Sequence, residues 1–213
     1  MLPAAILWDN DGVLVDTEGL YFEANREVLE TVGFPLTPAL FARVSLAEGR
    51  SVLELVADRL GPDDIEALRA KRNYLYGRML ENGVRVCDGV RECLAALHGR
   101  VRMVIVTGSR RDHFETMHRA TGLRPYFEFA VTHDDYTRSK PHPDAYRAAL
   151  ARLELGPAQC LAVEDSTRGV AAAVAAGMRC IAVPHHLSRE GDFSAAWRLL
   201  DSVCALQTCL DLG

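Results

Sequence analysis

The sequence predicts an α/β fold: a Rossmann-like parallel sheet with helices on both faces, carrying a helical cap inserted after the first strand. Three observations predict it. Short apolar runs at 4–8, 101–106, 129–131, 160–163 and 180–183 are each followed by polar or glycine-containing residues and then a helical pattern. Between Thr17 and about Gly83 no comparable run occurs, and amphipathic stretches follow one another instead. With 213 residues, 49% of them hydrophobic, the chain has material for one large core and a smaller insert.

Taken in order, the first run, 4–8, leads straight into Asp9-Asn10-Asp11-Gly12-Val13. The insert reads as helices over 20–32, 38–44, 51–60 and 63–80, separated at Gly33-Phe34-Pro35, Gly61-Pro62 and Gly83. The expected division is therefore a core of 1–16 with 84–213 and a cap of 17–83. The stretch after Pro184 is expected to end in a helix over about 194–206. In open parallel sheets a ligand site lies beyond the carboxyl ends of the strands, so Asp9, Thr107 and Glu164, each closing an apolar run, are expected at one edge.

Composition narrows the partners. Lys and Arg number 24 against 29 Asp and Glu, a net charge of −5, which gives no global basic surface for nucleic acid. No apolar stretch approaches the ~20 residues that span a bilayer. The apolar opening 1–8 has no basic region before it. The six cysteines, 87, 93, 160, 180, 204 and 209, lack the close pairing of a zinc site or redox dithiol and read as reduced thiols. The cytoplasm is the expected address. The histidines show no metal-ligand spacing.

Four short stretches carry the chemistry: Asp9-Asn10-Asp11-Gly12-Val13, Thr107-Gly108-Ser109, Lys140-Pro141 and Glu164-Asp165-Ser166. Carboxylate, hydroxyl, cation and carboxylate are what an aspartyl-phosphate mechanism needs around one phosphoryl group. Asp9 is the candidate nucleophile. Asp11, two residues on, projects to the same side of an extended segment and is the candidate acid/base, with Gly12 allowing the turn. Two anions cannot approach without a counter-charge, so Asp9 and Asp165 are expected to hold Mg²⁺, with Glu164 acting through a metal-bound water or orienting Asp165. Thr107, Gly108 and Ser109, with Asn10, are expected at the phosphate oxygens, and Lys140 supplies the positive charge between nucleophile and phosphate. In the insert, Arg50 precedes a helical stretch and is a candidate for a distal substrate group. Each motif also has a plain structural reading, as turn carboxylates, helix caps or solvated loop residues.

The long motif running from Asp9 to Glu18, followed in order by the other three and by Ser139-Lys140-Pro141-His142-Pro143-Asp144, resembles the haloacid dehalogenase superfamily, in its branch of phosphatases and β-phosphoglucomutase-like proteins. The resemblance covers nearly the whole chain. It implies a helical cap closing over the site and a Mg²⁺ ligand from the carbonyl of Asp11. It also implies a Mg²⁺-dependent phosphatase acting on a small phosphorylated metabolite, such as a sugar phosphate. The alternatives are a phosphomutase of the β-phosphoglucomutase type, a metal-free 2-haloacid dehalogenase and a non-catalytic binding module.

Overall fold

The computed structural model describes residues 2–210. Along the chain, β1 (Ala5–Trp8) leads to a short β2 (Val15–Asp16), then to helices α1 (Glu18–Glu30), α2 (Pro38–Phe41) and α3 (Pro62–Glu81). A π-helical turn, Ala42–Ala47, and a 3-10 turn, Val52–Val56, lie between α2 and α3, and β3 (Arg85–Val86) closes the insert. The rest alternates: α4 (Val90–Leu97), β4 (Arg102–Val106), α5 (Arg111–Thr121), β5 (Ala130–Val131), α6 (Asp144–Leu153), β6 (Cys160–Glu164), α7 (Thr167–Ala175) and β7 (Arg179–Ala182), then β8 (Arg198–Leu199) and α8 (Ala205–Cys209).

The main sheet has six parallel strands in the order β5-β4-β1-β6-β7-β8. β1 is central, and its four side chains are fully buried, which is why 4–8 reads as an unbroken apolar run rather than an alternating one. Alternate residues serve opposite faces. Ile6 and Trp8 join α4, α5 and α8 on one side, while Ala5 and Leu7 join α6 and α7 on the other. The chain leaves β1 towards β4 and β5 and returns on the other side of β1 to β6, β7 and β8, so the crevice at the strands' carboxyl ends opens beside β1.

The insert has its own core of Val28, Leu29, Phe41, Val44, Leu53 and Leu68 among others. Edge-to-face contacts of Tyr21 with Phe41 and Tyr76 tie α1 to its neighbours. The insert joins the sheet through the antiparallel β2–β3 ribbon, Val15 opposite Val86 and Asp16 opposite Arg85, clasped by an exposed Arg85–Asp16 ion pair of 2.6 Å. Too short to carry a sheet pattern, this ribbon is absent from the sequence-based expectation.

Three expectations need correction. The 51–60 stretch is helical only over Val52–Val56, as a 3-10 turn capped by Ser51, and 38–44 splits into α2 and the π-helical turn. The expected helix over 194–206 is instead β8 followed by α8. Trp197 and Leu200 donate backbone hydrogen bonds to the carbonyls of Cys180 and Ala182, both at 2.8 Å. The open edge of β7 thus takes these residues as a strand, because unpaired ladder groups cost more than a weak helical preference returns. Arg179 and Arg198 stack on the Trp197 indole at 4.6 and 5.0 Å.

Candidate active site

Asp9 follows β1, with its backbone N–H bonded to the Val163 carbonyl at 2.9 Å, and it is 7% exposed. Lys140 reaches it from the loop before α6. Its Nζ donates to Asp9 Oδ1 and Glu164 Oε1, both at 2.6 Å, and to the Val106 carbonyl at 2.9 Å. Burial would by itself lower the Lys140 ammonium, but the two carboxylates outweigh it and hold it above the ordinary lysine range. Burial raises Asp9, with Glu164, Asp165 and Asp11 adding to the effect and Lys140 opposing it.

Asp11 faces the same edge. Its Oδ2 accepts from Ser109 Oγ at 2.8 Å and Thr107 Oγ1 at 3.0 Å, and its Oδ1 accepts from Thr17 Oγ1 at 2.6 Å and Tyr76 Oη at 3.4 Å. Tyr76, from α3, therefore brings the insert into contact with the acid/base candidate. Thr107 Oγ1 also accepts from the Ser109 N–H at 2.9 Å, which shapes the turn after β4.

Asn10 departs from expectation. Lying between two residues that face the cavity, its side chain is fully buried beneath them, accepting from His118 Nε2 at 2.8 Å while donating to Met117 Sδ at 3.2 Å and to Asp11 Oδ2 at 3.3 Å. The same period of two that brings Asp9 and Asp11 together sends Asn10 under the site, where its side chain has no access to a phosphate. Glu164 is held by side chains of the core: its Oε1 accepts from Lys140 Nζ and from Tyr146 Oη, both at 2.6 Å, and Oε2 lies 3.4 Å from Ser166 Oγ. Ser166 meanwhile caps α7 by accepting from the Gly169 N–H. Arg50 lines the cavity rim at half exposure, where Glu54 and Glu48 hold it at 2.9 and 3.2 Å. The neighbouring Gly49 packs against the Lys140 carbonyl and Arg168, so this loop is where insert meets core.

The cavity, about 590 Å³, is floored by Asp9, Asp11, Lys140 and Asp165 and roofed by the insert through Arg50, Arg69 and Tyr76. Its floor suits a hard divalent cation. Asp9, Glu164 and Asp165 present oxygens within 4.8 Å of one another, and the buried Asp165 Oδ2, 2.9 Å from His185 Nε2 but outside hydrogen-bonding alignment with it, has no hydrogen-bond donor among the described residues. Oxygen-only donors of this charge match Mg²⁺. Gly12, at φ 82°, makes room for this cluster: a Cβ there would stand 2.5 Å from Asp165 Oδ2 and 2.9 Å from the His185 ring.

Sequence reasoning passed over Glu18, Tyr146 and His185. Glu18, 9% exposed, is raised by burial and by Asp165 and Asp11. His185 follows β7, at the same sheet edge as the other site residues, so the strand-end rule applied to 180–183 would have pointed to it. Tyr146 carries no local signal, since its hydroxyl reaches Glu164 from inside a helix that reads as ordinary core.

The chain matches the profile of a family described as haloacid dehalogenase-like hydrolase over residues 6–183. It is 34% identical over 188 residues to the phosphorylated carbohydrates phosphatase of Thermotoga maritima, covering 86% of this chain and 87% of that one. Fructose-1-phosphate phosphatase YqaB of Escherichia coli is 32% identical over 184 residues, which are 84% of this chain and 96% of the relative. In structure, CbbY from Rhodobacter sphaeroides in complex with phosphate superposes with a TM-score of 0.85 at 28% identity, over 99% of this chain and 100% of that one.

Proposed function

The chain belongs to the haloacid dehalogenase-like hydrolase family and is a phosphoric monoester hydrolase, and we propose that it is a Mg²⁺-dependent phosphatase of small phosphorylated carbohydrates, working through an aspartyl-phosphate on Asp9. The observation that carries this reading is the contact of Lys140 Nζ with Asp9 Oδ1 at 2.6 Å on the floor of the cavity, which leaves the other Asp9 oxygen for attack on phosphorus. The names of the two phosphatase relatives support the substrate class.

Asp9 attacks and the alkoxide leaves. Asp11 stands on the cavity side of the same loop and protonates the leaving oxygen, then takes a proton from the water that releases phosphate. Thr107, Ser109, Thr17 and Tyr76 fix its carboxyl, so the proton is delivered from one position. The Ser109 hydroxyl and the Gly108 N–H receive phosphate oxygens, since the Thr107 and Ser109 N–H groups are bonded to the Val131 carbonyl and Thr107 Oγ1, while Lys140 neutralises charge on Asp9. Asp9, the Asp11 carbonyl and Asp165 would hold the Mg²⁺, which supplies charge neutralisation between nucleophile and phosphate when bound. Glu164 and Tyr146 keep Lys140 in place.

A panel of phosphorylated metabolites assayed with Mg²⁺ tests this directly. Sugar monophosphates are expected among the best substrates, with turnover and any trapped phosphoenzyme both lost in Asp9→Asn. Undiminished turnover in that variant would sink the nucleophile assignment. A phosphomutase would use the same Asp9 and Asp11 but pass the phosphoryl group to a second hydroxyl. Dependence on a bisphosphate activator in two-substrate kinetics would identify it.

A further inference from the structure

We propose that a cavity at the free edge of the sheet, ringed by Arg119, Arg124 and Arg152, binds a phosphate group and is a site separate from the catalytic cavity. β5 is the outer strand of the sheet, and α5 and α6 overhang its open side from opposite faces, enclosing about 480 Å³. Arg119 comes from the last turn of α5, Arg124 from the 3-10 turn that follows it and Arg152 from the last turn of α6. The two cavities share no lining residue.

Charge is the first argument. In a chain of net charge −5, three arginines surround one cavity and none of them forms an ion pair among the described residues. Arg111, a fourth on the wall, is occupied by Asp135 at 2.6 Å, and the one carboxylate of the wall, Glu115, lies beyond ion-pair distance of them all. Cations gathered in this way repel, and an anion seated among them removes the repulsion. Guanidinium forks match the paired oxygens of a phosphate. Arg152 is held in place by stacking on the Phe129 ring at 4.0 Å, and Arg124 by the Phe127 carbonyl, so less ordering is left for the ligand to impose.

Two polar groups of the wall point to a ligand independently. His118 is 5% exposed, and its Nδ1 is buried without a hydrogen-bond partner. Asn10 donates its amide to Met117 and Asp11, which turns its Oδ1 to His118 Nε2 and places the ring proton there. Nδ1 is therefore an acceptor, and what it lacks is a donor. Hydrogen phosphate carries a P–OH near neutral pH, whereas sulfate does not, so this nitrogen selects between two oxyanions that the arginines would treat alike. The second group is Ala130. Phe129 and Val131 turn their carbonyls to β4, so the backbone N–H of Ala130 between them faces the open side and offers a donor to an anion there.

The test reads binding at His118 without turnover, so it can fail while the phosphatase reading stands, and the reverse. Full-length protein carrying ¹⁵N-labelled histidine is titrated near neutral pH with inorganic phosphate, with hydroxyethylphosphonate as an unhydrolysable organic source of the same group, and with sulfate. The His118 ring signal is identified by its loss in His118→Gln. A saturable shift is expected with phosphate or the phosphonate, the tighter of the two naming the source, and a midpoint about tenfold higher or more with sulfate. A ligand in the catalytic cavity can move the same signal, because Asn10 lies between His118 and Asp11. Arg119→Gln/Arg152→Gln separates the two cavities: the midpoint should rise by about tenfold or more, while inhibition of turnover by phosphate stays as in wild type. Arg119→Gln alone decides the matter if the double variant does not fold. Absence of a saturable shift, equal midpoints for phosphate and sulfate, or equal midpoints in wild type and variant overturns the site.

Discussion

Asp11 accepts hydrogen bonds from Thr17, Tyr76, Thr107 and Ser109, from three parts of the chain, and these fix its carboxyl in one orientation towards the cavity. Asp11→Asn should therefore slow alkyl phosphates, whose leaving groups need protonation, by far more than aryl phosphates, which need it less. Equal losses on the two substrate types would remove the acid/base role. Beneath the site, burial depresses His118 from its ordinary 6.5 to about 4, and its Nε2 holds the Asn10 side chain. A depressed histidine stays neutral in the folded state and takes up a proton only on unfolding. Its contribution is thus complete above pH 6.5 and is lost as the pH falls towards 4, approaching about 3 kcal/mol. Urea unfolding at pH 7 and pH 5 should show a smaller acid loss in His118→Gln than in wild type. The same loss in both would place the effect elsewhere.

Among the elements, α7 is set by its cap and by one glycine. Gly169 lies in the first turn, where alanine would favour the helix by about 1 kcal/mol on propensity alone. Here the sign should reverse, because a Cβ at Gly169 would overlap the Glu164 carboxylate. That carboxylate cannot swing away freely, since Lys140, Tyr146 and Ser166 hold it. Gly169→Ala is expected to cost about 1–3 kcal/mol of stability, as overpacking does, and to reduce turnover by displacing Lys140 from Asp9. A variant as stable and as active as wild type would show that Glu164 has another place to go. The ribbon of β2 and β3 is a different case: its Arg85–Asp16 ion pair is exposed, so it is a junction between insert and core and adds little stability.

For the whole molecule, the gathering of carboxylates at one sheet edge opposes folding, and a bound cation should relieve it. At a Mg²⁺ concentration a hundred times its dissociation constant the gain is about 2.7 kcal/mol. For a chain of this length that corresponds to roughly 5–10 °C in Tm. Thermal melts in excess Mg²⁺ and in excess chelator should differ by this order, and the difference should vanish in Asp165→Ala. Coincident melts of the wild-type protein would count against any cation at this edge. Folding also joins the cavity's two halves, since the floor comes from strand ends and the roof from Arg50, Arg69 and Tyr76 of the insert.

Local chemistry made much of this legible in advance. The runs ending at Trp8, Val106 and Val163 announce central parallel strands because both faces of such strands are buried, so residues 5–8, 103–106 and 160–163 are apolar without interruption. The residues that close those runs fall at the sheet's carboxyl edge by topology, which is why Asp9, Thr107 and the Glu164-Asp165 pair could be named from the sequence. What depends on contacts between distant parts of the chain could not be read there. The short run Arg198–Leu199 becomes a strand only because the edge of β7 is open beside it. Asn10 turns to His118 and Glu164 turns to Lys140 and Tyr146, across 108, 24 and 18 residues of sequence, because a buried polar group must take whichever partner the fold brings within reach. The sequence by itself determined the five strands β1, β4, β5, β6 and β7, their order of chemistry and the edge where that chemistry collects. Tertiary packing alone decided which partner each buried side chain holds, since that choice rests on burial and proximity between segments that no local pattern records.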